Sequence, residues 1–350
     1  MNTVCFAYPG DLETPTGGYG YDRRIIAGLR DLGWQVELLP LGEGFPFPTE
    51  ETLASAQRKL AGLAAGSLVV VDGLAFGVMD DAARALAGRL SLVALVHHPL
   101  CLENGLSADK APALRASESE VLAHARHVIV TSPATARQVT ELFGAPATKI
   151  SVVPPGTEKP VAGPKAPSDS LRLLSVGTVV PRKGYDLLLE ALAPLAGVNW
   201  HLDIVGGLDA DPACYRALQA QAAEAGLTAR ITCHGAVPPQ ALSGFYAAAD
   251  IFVLASRYEG YGMAYTEALA HGLPVIGSGG GAVRETLPEN AAVYCPAEDV
   301  ACLREALSTL IEDRAERSAL AAAARKAAAA LPEWREAAGQ FAEILKELQS

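Results

Sequence analysis

Short apolar runs recur along the chain, and they alternate with longer Ala-, Leu- and Arg-rich segments of helical spacing. In the first such segment, Ile25, Ile26 and Leu29 recur at helical intervals, and Gly33 follows as a stop signal. Strands that alternate with helices predict parallel βαβ units. The strands predicted in the first half are Val4–Tyr8, Gln35–Leu39, Leu68–Val71, Leu92–Val96, His127–Thr131 and Ile150–Val153.

A proline-rich stretch without periodicity, residues 154–170, interrupts this pattern, and the alternation restarts after it. We therefore predict an α/β protein of two doubly wound parallel-sheet domains, residues 1–165 and 166–332, followed by a helix over 333–350. Ligands of such folds bind beyond the carboxyl ends of the strands, so the expected site is the cleft between the domains. The strands predicted in the second half are Leu171–Val176, His201–Val205, Arg230–Cys233, Ile251–Leu254, Pro274–Gly277 and Ala292–Tyr294.

The composition is that of a folded, acidic protein. Half of the residues are hydrophobic, and the formal net charge of −11 argues against a nucleic-acid binder. The N-terminus lacks the features of a signal peptide, and no segment has the roughly 18 uninterrupted apolar residues of a membrane span. The six cysteines are scattered, without a Cys-x-x-Cys pair or a Cys/His cluster. These features predict a cytoplasmic protein with reduced, mostly buried thiols.

The stretch YEGYGMAYTEALAHGLPV, residues 258–275, places Glu259 and Glu267 around a Gly-x-Gly turn and a helix start. Gly260 and Gly262 allow the backbone to turn tightly and to approach a ligand. The first N–H groups of the helix favour a phosphate or sugar oxygen. If the span is mostly helical, Glu259 and Glu267 are separated by roughly 12 Å along the helix axis. This distance exceeds the separation of the two catalytic carboxylates of a retaining glycosidase. It suits two contacts at different places on one elongated ligand. The alternative for Glu267 is an ordinary solvent-facing glutamate.

Arg182 and Lys183 form a second candidate group, in the turn between a predicted strand and an amphipathic helix. Adjacent cations at such a turn can hold a pyrophosphate, and their effect increases when negative charge builds up on a leaving diphosphate. The alternative is a solvated surface pair, which is the more common state of an Arg-Lys dipeptide.

Two further stretches follow predicted strands of the first half. Gly17 and Gly18 lie between the first strand and its helix, but they do not form the G-x-G-x-x-G pattern of a dinucleotide site and could be only a tight turn. His97 and His98 end an apolar strand, where a histidine can donate a hydrogen bond or carry a proton. Either histidine could equally be structural.

Two other patterns have ordinary explanations. Asp209 and Asp211 could hold Mg²⁺ through their carboxylates, but Asp is also a common turn residue after a strand. The segment GSGGGAVRE, residues 277–285, could cradle a phosphate or could be a turn that packs beside the glutamate-bearing loop. We expect no metal site at the two aspartates and leave the two interpretations of the glycine segment open.

Together these stretches resemble the family 4 retaining glycosyltransferases, which have the two-domain GT-B fold. Residues 259–275 match the signature of the family, two glutamates separated by seven residues with the continuation EALAHGLPV. The segments GTVVPRKG and ADIFVLASRYEG match in order and spacing. The terminal PEWREAAGQFAEIL resembles the closing helix, which in the family crosses back onto the N-terminal domain. The resemblance covers essentially the whole chain.

The resemblance implies a role for each matching position. Arg182 and Lys183 would hold the donor diphosphate, and Glu267 would bind the ribose hydroxyls. Glu259 would hold the transferring sugar, with His97 near it and His98 as a close competitor. The remaining positions implied in donor binding are Gly17 and Gly18 beside the diphosphate, Gly235 and Val237 at the base, and Gly260, Tyr261, Gly262, Met263 and Ala264 around the sugar.

The implied reaction transfers a hexose from a UDP- or GDP-sugar to an acceptor hydroxyl with retention of configuration, without a metal or another cofactor. Its catalytic residues would be Glu259, His97, Arg182 and Lys183. The expected acceptor is a cell-envelope glycan or glycolipid precursor, as in polysaccharide or lipopolysaccharide biosynthesis. Acidic residues outnumber basic ones in residues 1–155, so an overall basic surface for anionic lipid is not expected. Peripheral membrane contact through a local patch stays open, as does the oligomeric state. The alternatives are a nucleotide-sugar 2-epimerase of the same fold and an inactive sugar-nucleotide-binding protein.

Overall fold

The computed structural model describes residues 2–160 and 170–349. The chain forms two units, the first from Met1–Gly156 together with the segment that begins at Pro332, and the second from Thr157–Leu331. The domain boundary predicted between residues 165 and 166 lies outside the described residues. Each unit has its own sheet and core.

The described strands are short, and most are buried. Their bounds are β1 (Thr3–Tyr8), β2 (Gln35–Pro40), β3 (Leu68–Asp72), β4 (Ser91–Val96), β5 (His127–Val130), β6 (Ile150–Val152), β7 (Leu171–Val176), β8 (Trp200–Val205), β9 (Ile231–Cys233), β10 (Ile251–Leu254), β11 (Tyr258–Glu259), β12 (Val275–Ser278), β13 (Gly280–Gly281) and β14 (Ala292–Cys295).

The helices lie between the strands and close the chain. Their bounds are α1 (Gly17–Asp31), α2 (Glu50–Ala61), α3 (Gly73–Phe76), α4 (Asp80–Leu86), α5 (Lys110–His124), α6 (Pro133–Phe143), α7 (Tyr185–Leu192), α8 (Pro212–Glu224), α9 (Pro239–Ala248), α10 (Met263–Ala270), α11 (Val283–Thr286), α12 (Val300–Glu312), α13 (Arg314–Ala328) and α14 (Trp334–Gln349). None of the described helices is long and apolar enough to cross a membrane.

Each unit is built on a parallel six-stranded sheet. The first sheet has the order β2-β1-β3-β4-β5-β6 and the second has the order β14-β12-β10-β7-β8-β9. Strand β3 is buried at every position, because a parallel sheet is covered on both faces and its central strands face no solvent. The doubly wound α/β prediction is confirmed, and each of the twelve predicted strands is present.

The last helix belongs to the first unit. Phe341 and Leu345 of α14 are fully buried in the core that also contains Ile25 and Leu29 of α1. The two helices approach so closely that a Cβ placed on Gly28 would lie 2.3 Å from the Cβ of Ala338. Small side chains thus allow the C-terminal segment to complete a core that begins near the N-terminus.

Two expectations were wrong. The helical spacing of residues 300–350 predicts helix that is broken near Pro332, but a second break lies at Asp313. Asp313 has an extended backbone and caps α13 by accepting the Ala315 and Glu316 N–H groups. The cysteines are not all reduced, because Cys295 and Cys302 are joined in a disulfide with their Cα atoms 5.7 Å apart. The end of β14 and the start of α12 bring these two residues together.

Candidate active site

The Arg-Lys pair lies in a tightly packed turn of the second unit. Residues 181–183 form a single 3₁₀ turn, and Gly184 follows in the left-handed conformation with φ of 60°. A Cβ placed on Gly184 would lie 1.9 Å from the carbonyl oxygen of Ala255. Only glycine permits this approach, which sets the turn directly against the loop that follows β10.

Arg182 and Lys183 converge on one buried carboxylate. Lys183 donates from Nζ to Oε1 of Glu259 at 2.6 Å, and Arg182 donates to Oε2 at 3.2 Å. The same arginine nitrogen donates to the carbonyl oxygen of Tyr258 at 2.9 Å, and the Ser256 hydroxyl donates to Glu259 Oε1 at 2.5 Å. Glu259 is only 6% exposed. The dipeptide is therefore not a solvated surface pair.

The electrostatics of this cluster favour its charged form. Burial by itself raises the pKa of Glu259, but Lys183 and Arg182 outweigh burial and lower that pKa to about 2. Two cations against one anion leave the three side chains with one positive charge. A cluster of fixed donors with excess positive charge suits a ligand phosphate, because the donors need no rearrangement when negative charge develops.

Arg257 links the two loops of the cluster, and the sequence analysis missed it. Its guanidinium donates to both carboxylate oxygens of Asp186, at 2.9 and 2.7 Å, and to Glu298 at 3.0 Å. It also donates to the Pro181 carbonyl oxygen at 2.6 Å. The sequence signal for a role of Arg257 was its position two residues before Glu259. Its contact with Asp186 could not be predicted, because the two residues are 71 positions apart.

Helix α10 begins directly after Glu259 through a turn that requires glycine. Gly262 has a φ of 94°, and a Cβ there would lie 2.6 Å from the Cδ2 atom of Tyr265. The first N–H groups of a helix have no intrahelical acceptor, so Met263 and Ala264 present donors at this end. Gly260 and Tyr261 form the rest of the turn. The predicted Gly-x-Gly turn before a helix is confirmed.

Glu267 lies one turn further along α10 and is half-buried. It accepts a hydrogen bond from the Tyr246 hydroxyl at 2.8 Å. The Tyr246 ring is buried and stacks on His271 with the ring centroids 5.0 Å apart. Glu267 is therefore held in place by a rigid aromatic neighbour, and it is not the ordinary solvent-facing glutamate of the alternative interpretation.

The loop after β9 also lies at the carboxyl ends of the strands of this unit. Gly235 has a φ of 69°, and its carbonyl oxygen accepts the Gly206 N–H at 2.9 Å. Val237 is half-buried against the neighbouring apolar cluster. Gly206 in turn approaches Gly177 so closely that a Cβ on it would lie 2.1 Å from the Gly177 carbonyl oxygen. Three glycines thus line adjacent strand ends, without side chains to cover the backbone.

The glycine segment at 277–285 is a packing element. Gly280 and Gly281 form β13, which pairs with β11, and a Cβ on Gly281 would lie 2.2 Å from the Glu259 carbonyl oxygen. The Ala282 N–H donates to the same oxygen at 2.8 Å. Of the two interpretations, the turn that packs beside the glutamate-bearing loop is the one observed. Asp211 likewise acts as a turn residue, because it caps α8 through the Ala213 and Cys214 N–H groups.

The remaining candidates lie in the first unit. Gly17 and Gly18 begin α1, which is capped by Thr16. A Cβ placed on Gly18 would lie 3.4 Å from Cδ2 of His97, so this histidine packs on the first turn of the helix. His98 instead contacts Glu103 at 3.0 Å. The structure thus distinguishes the two histidines and brings His97, but not His98, next to Gly18.

Comparison with models of protein families shows to which family the chain belongs. The model of the glycosyl transferases group 1 matches residues 157–327, and the model of the glycosyl transferase 4-like domain matches residues 43–156. The two matches follow each other and cover most of the chain. The chain belongs to the family 4-type glycosyltransferases with the GT-B fold.

Individual relatives agree with this assignment. The D-inositol 3-phosphate glycosyltransferase of Xylanimonas cellulosilytica is 30% identical over 244 residues, which cover 65% of this chain and 58% of that protein. The protein of the same name from Nocardia farcinica is 30% identical over 248 residues, covering 65% and 54%. The chain thus spans a little over half the length of these curated relatives.

Solved structures show the same fold at lower identity. The sucrose-phosphate synthase from Thermosynechococcus elongatus superposes with a TM-score of 0.85 at 23% identity, over 99% of both chains. Anabaena HepE, in complex with UDP and glucose, superposes with a TM-score of 0.74 at 18% identity, over 97% of this chain and 99% of that one. At these identities the likeness shows the fold alone.

Proposed function

We propose that this chain is a retaining glycosyltransferase that transfers a hexose from a UDP- or GDP-sugar to an acceptor hydroxyl. The observation that carries the proposal is the buried cluster of Arg182, Lys183 and Glu259 at the start of α10. Its excess positive charge suits the diphosphate of a nucleotide sugar. In the proposed roles Glu267 binds the ribose, and Gly235 and Val237 lie near the base.

The chemistry follows from where charge develops. The sugar leaves the diphosphate with oxocarbenium character, and the acceptor hydroxyl attacks from the same face, with its proton passing to the departing phosphate oxygen. Arg182 and Lys183 stabilise the charge that grows on that leaving group, so they lower the barrier as well as bind the donor. Glu259 keeps both cations in place and binds a sugar hydroxyl. The proposal assigns no role to a metal.

His97 is proposed to contact the transferring sugar, as the family resemblance implies. His97 packs beside Gly18, a position proposed to lie next to the diphosphate, and this placement supports the role. His98 is the matched control. His97→Gln should reduce turnover strongly, whereas His98→Gln should leave most of it, and equal effects would contradict the assignment.

The relatives suggest where to begin with substrates. Anabaena HepE was solved with UDP and glucose, which favours UDP-glucose as the first donor to test. Several relatives are named D-inositol 3-phosphate glycosyltransferases, and a neighbouring structure is a sucrose-phosphate synthase. These names support a small phosphorylated polyol or sugar as a second class of acceptor, beside the cell-envelope glycan or glycolipid that we propose from the family resemblance.

Thermal stabilisation by nucleotide sugars tests the proposal directly. A ligand that binds the native state raises the unfolding temperature according to its concentration relative to Kd. We expect one nucleotide class among UDP-, GDP- and ADP-sugars to stabilise the protein, with no change when EDTA is added. Lys326→Ala, which removes an exposed lysine of the same unit, should retain the shift, and Lys183→Ala should lose it.

Product analysis separates the alternatives. Transfer to an acceptor with an unchanged anomeric configuration, read by NMR of the product, supports the proposal. Conversion of the donor to a 2-epimer without acceptor would identify the epimerase. Tight donor binding without turnover on acceptor panels of both classes would identify an inactive binding protein. The absence of stabilisation by any nucleotide sugar, with or without acceptors, would contradict the proposal.

A further inference from the structure

Three ionisable side chains from separate elements meet in the first unit. Asp22 comes from α1, Asp72 from the end of β3, and His97 follows β4. Nε2 of His97 lies 3.1 Å from Oδ1 of Asp22 and 3.6 Å from Oδ2 of Asp72. The aspartates are 0% and 2% exposed. One imidazole edge therefore faces two buried carboxyl groups.

The charges of this cluster do not balance if all three groups are ionised. Two carboxylates against one imidazolium would leave a buried negative charge, which is costly to remove from water. The conflict is relieved when the two carboxyl groups share one proton. Such sharing leaves one negative charge opposite one imidazolium.

The hydrogen bonds indicate which carboxyl carries the proton. Asp72 Oδ1 accepts the Leu74 N–H at 2.7 Å, so Asp72 is stabilised as a carboxylate. Oδ2 of Asp22 is buried, and no donor reaches it within residues 2–160 and 170–349. A proton on Asp22 that is shared with Asp72 supplies that missing partner. In agreement, burial and Asp72 raise the pKa of Asp22 to about 7, whereas the pKa of Asp72 is lowered, against burial, by its contacts with His97, Asp22 and Leu74.

The other titratable groups near His97 do not compete for this role. The Tyr21 ring meets the imidazole edge-on at 5.4 Å, and its hydroxyl donates to the Val153 carbonyl oxygen at 3.0 Å. The Tyr19 hydroxyl donates to the carbonyl oxygen of Pro9 at 2.8 Å. Burial raises the pKa of both phenols, so they stay neutral. The charge state of His97 is therefore set by the two aspartates.

We propose that Asp22 and Asp72 are positioning residues that share one proton and hold His97 as an imidazolium, with Nε2 fixed against them. The opposite ring nitrogen, Nδ1, has no hydrogen-bond partner within the described ranges, and the side chain is 19% exposed. Its N–H is then a cationic donor for a ligand oxygen. A permanently protonated histidine donates a hydrogen bond but cannot act as a base. The link to a sugar ligand rests on the proposed function, whereas the charge state does not.

The charge state can be measured by NMR of the full-length protein labelled with ¹⁵N in its histidines. Burial lowers the pKa of His97, but the two aspartates outweigh it and raise that pKa to about 10, so its imidazole signals should stay those of the protonated ring from pH 6 to 9. In a variant with both Asp22→Asn and Asp72→Asn the midpoint should fall toward about 6.5. Asp22→Asn alone replaces a protonated carboxyl by a neutral amide and leaves the Asp72 carboxylate, so it should keep the midpoint raised. Glu103→Gln, which alters the matched contact of His98, should leave the His97 signals unchanged.

Two results would overturn the proposal. One is a wild-type His97 that titrates near its ordinary pKa, with the signal assigned through His97→Gln. The other is stoichiometric binding of Zn²⁺ or Mn²⁺ that shifts the His97 signals and is lost in Asp22→Asn, since the three ligand atoms lie within 4.8 Å of one another and would then hold a metal. If the double variant does not fold, the wild-type titration still decides.

Activity gives an independent measurement once a donor is known. In the double variant with Asp22→Asn and Asp72→Asn, kcat should fall as the pH rises through about 6.5, because the donor proton is then lost. The wild type should show no such fall below pH 9, while KM for the donor nucleotide changes little. A lack of turnover in every variant would count against the proposed function and would leave the NMR result readable.

Discussion

At the scale of single residues, Lys183 makes the sharpest test of the donor site. Its ammonium has a short contact with a buried carboxylate, and the Lys183→Ala variant leaves Arg182 to hold the turn. Removing one preorganised donor to a developing anion costs on the order of 3 kcal/mol, so kcat should fall by at least about 100-fold. Steady-state kinetics of Lys183→Ala against Lys326→Ala measure this, and near-normal turnover by a folded Lys183→Ala would refute the phosphate contact.

Glu259 should make stability depend on pH in the acid range. Its pKa in the folded state, about 2, lies below the ordinary value of 4.5. Its contribution to the free energy of unfolding is therefore complete above pH 4.5 and is lost as the pH falls through 2. Urea unfolding between pH 7 and 3 should show wild type losing roughly 2 kcal/mol of its advantage over Glu259→Gln, because this range covers only part of the interval between the two pKa values. The exposed Glu289→Gln is the control. A constant difference between wild type and Glu259→Gln would contradict the ion pairs.

The sequence indicates the residues of the candidate site more readily than their contacts. Arg182, Lys183 and Glu259 were identified because glycines and strand ends surround them. Their convergence could not be predicted, since Lys183 and Glu259 are 76 positions apart and meet only through the packing of two loops. The choice between His97 and His98 likewise required the directions of their side chains. Both residues follow the end of a strand, where the alternation of strand side chains no longer applies.

At the scale of elements, the 3₁₀ turn that carries Arg182 and Lys183 depends on Gly184, which follows it. An alanine there needs a strained left-handed backbone and also meets the Ala255 carbonyl oxygen. We expect Gly184→Ala to lower the free energy of unfolding by more than about 1 kcal/mol and to reduce donor affinity, because the turn must move.

The matched control for this glycine is Gly226→Ala. Gly226 has a similar φ of 68°, but a Cβ there would meet no atom within 4 Å. Denaturant unfolding of the two variants therefore separates backbone strain from steric overlap. Equal destabilisation by both, with unchanged donor binding, would show that the close approach of the two loops is unimportant.

Elements were predictable where burial alone determines them. The parallel strands have continuous apolar runs because both faces of each sheet are covered. The helix break at Asp313 was missed because the flanking Ala- and Leu-rich sequence continues the helical spacing, and one capping side chain decides the boundary. The Cys295–Cys302 bond was missed because a spacing of seven residues does not show that a strand end and a helix start face each other.

At the scale of the whole molecule, the first unit is built from two segments that are far apart along the chain. Residues from Pro332 onward pack in the first unit, whereas residues 157–331 form a second unit with its own sheet and apolar core. The sequence predicts the closing segment as a helix, but it does not show that small residues of this helix pack against α1. The stability of the first unit should therefore depend on residues at the far end of the chain.

Phe341→Ala tests this dependence. The ring of Phe341 is fully buried in the core of the first unit, so its removal should destabilise that unit by about 3–5 kcal/mol. Hydrogen exchange read by mass spectrometry should show amides of β1 and β3 losing protection, while those of β7 and β10 keep theirs. Phe47→Ala, at a phenylalanine of the same unit that is 48% exposed, should change little. Equal loss of protection in both units would mean that they unfold as one, and no loss in β1 would mean that α14 is dispensable for the first core.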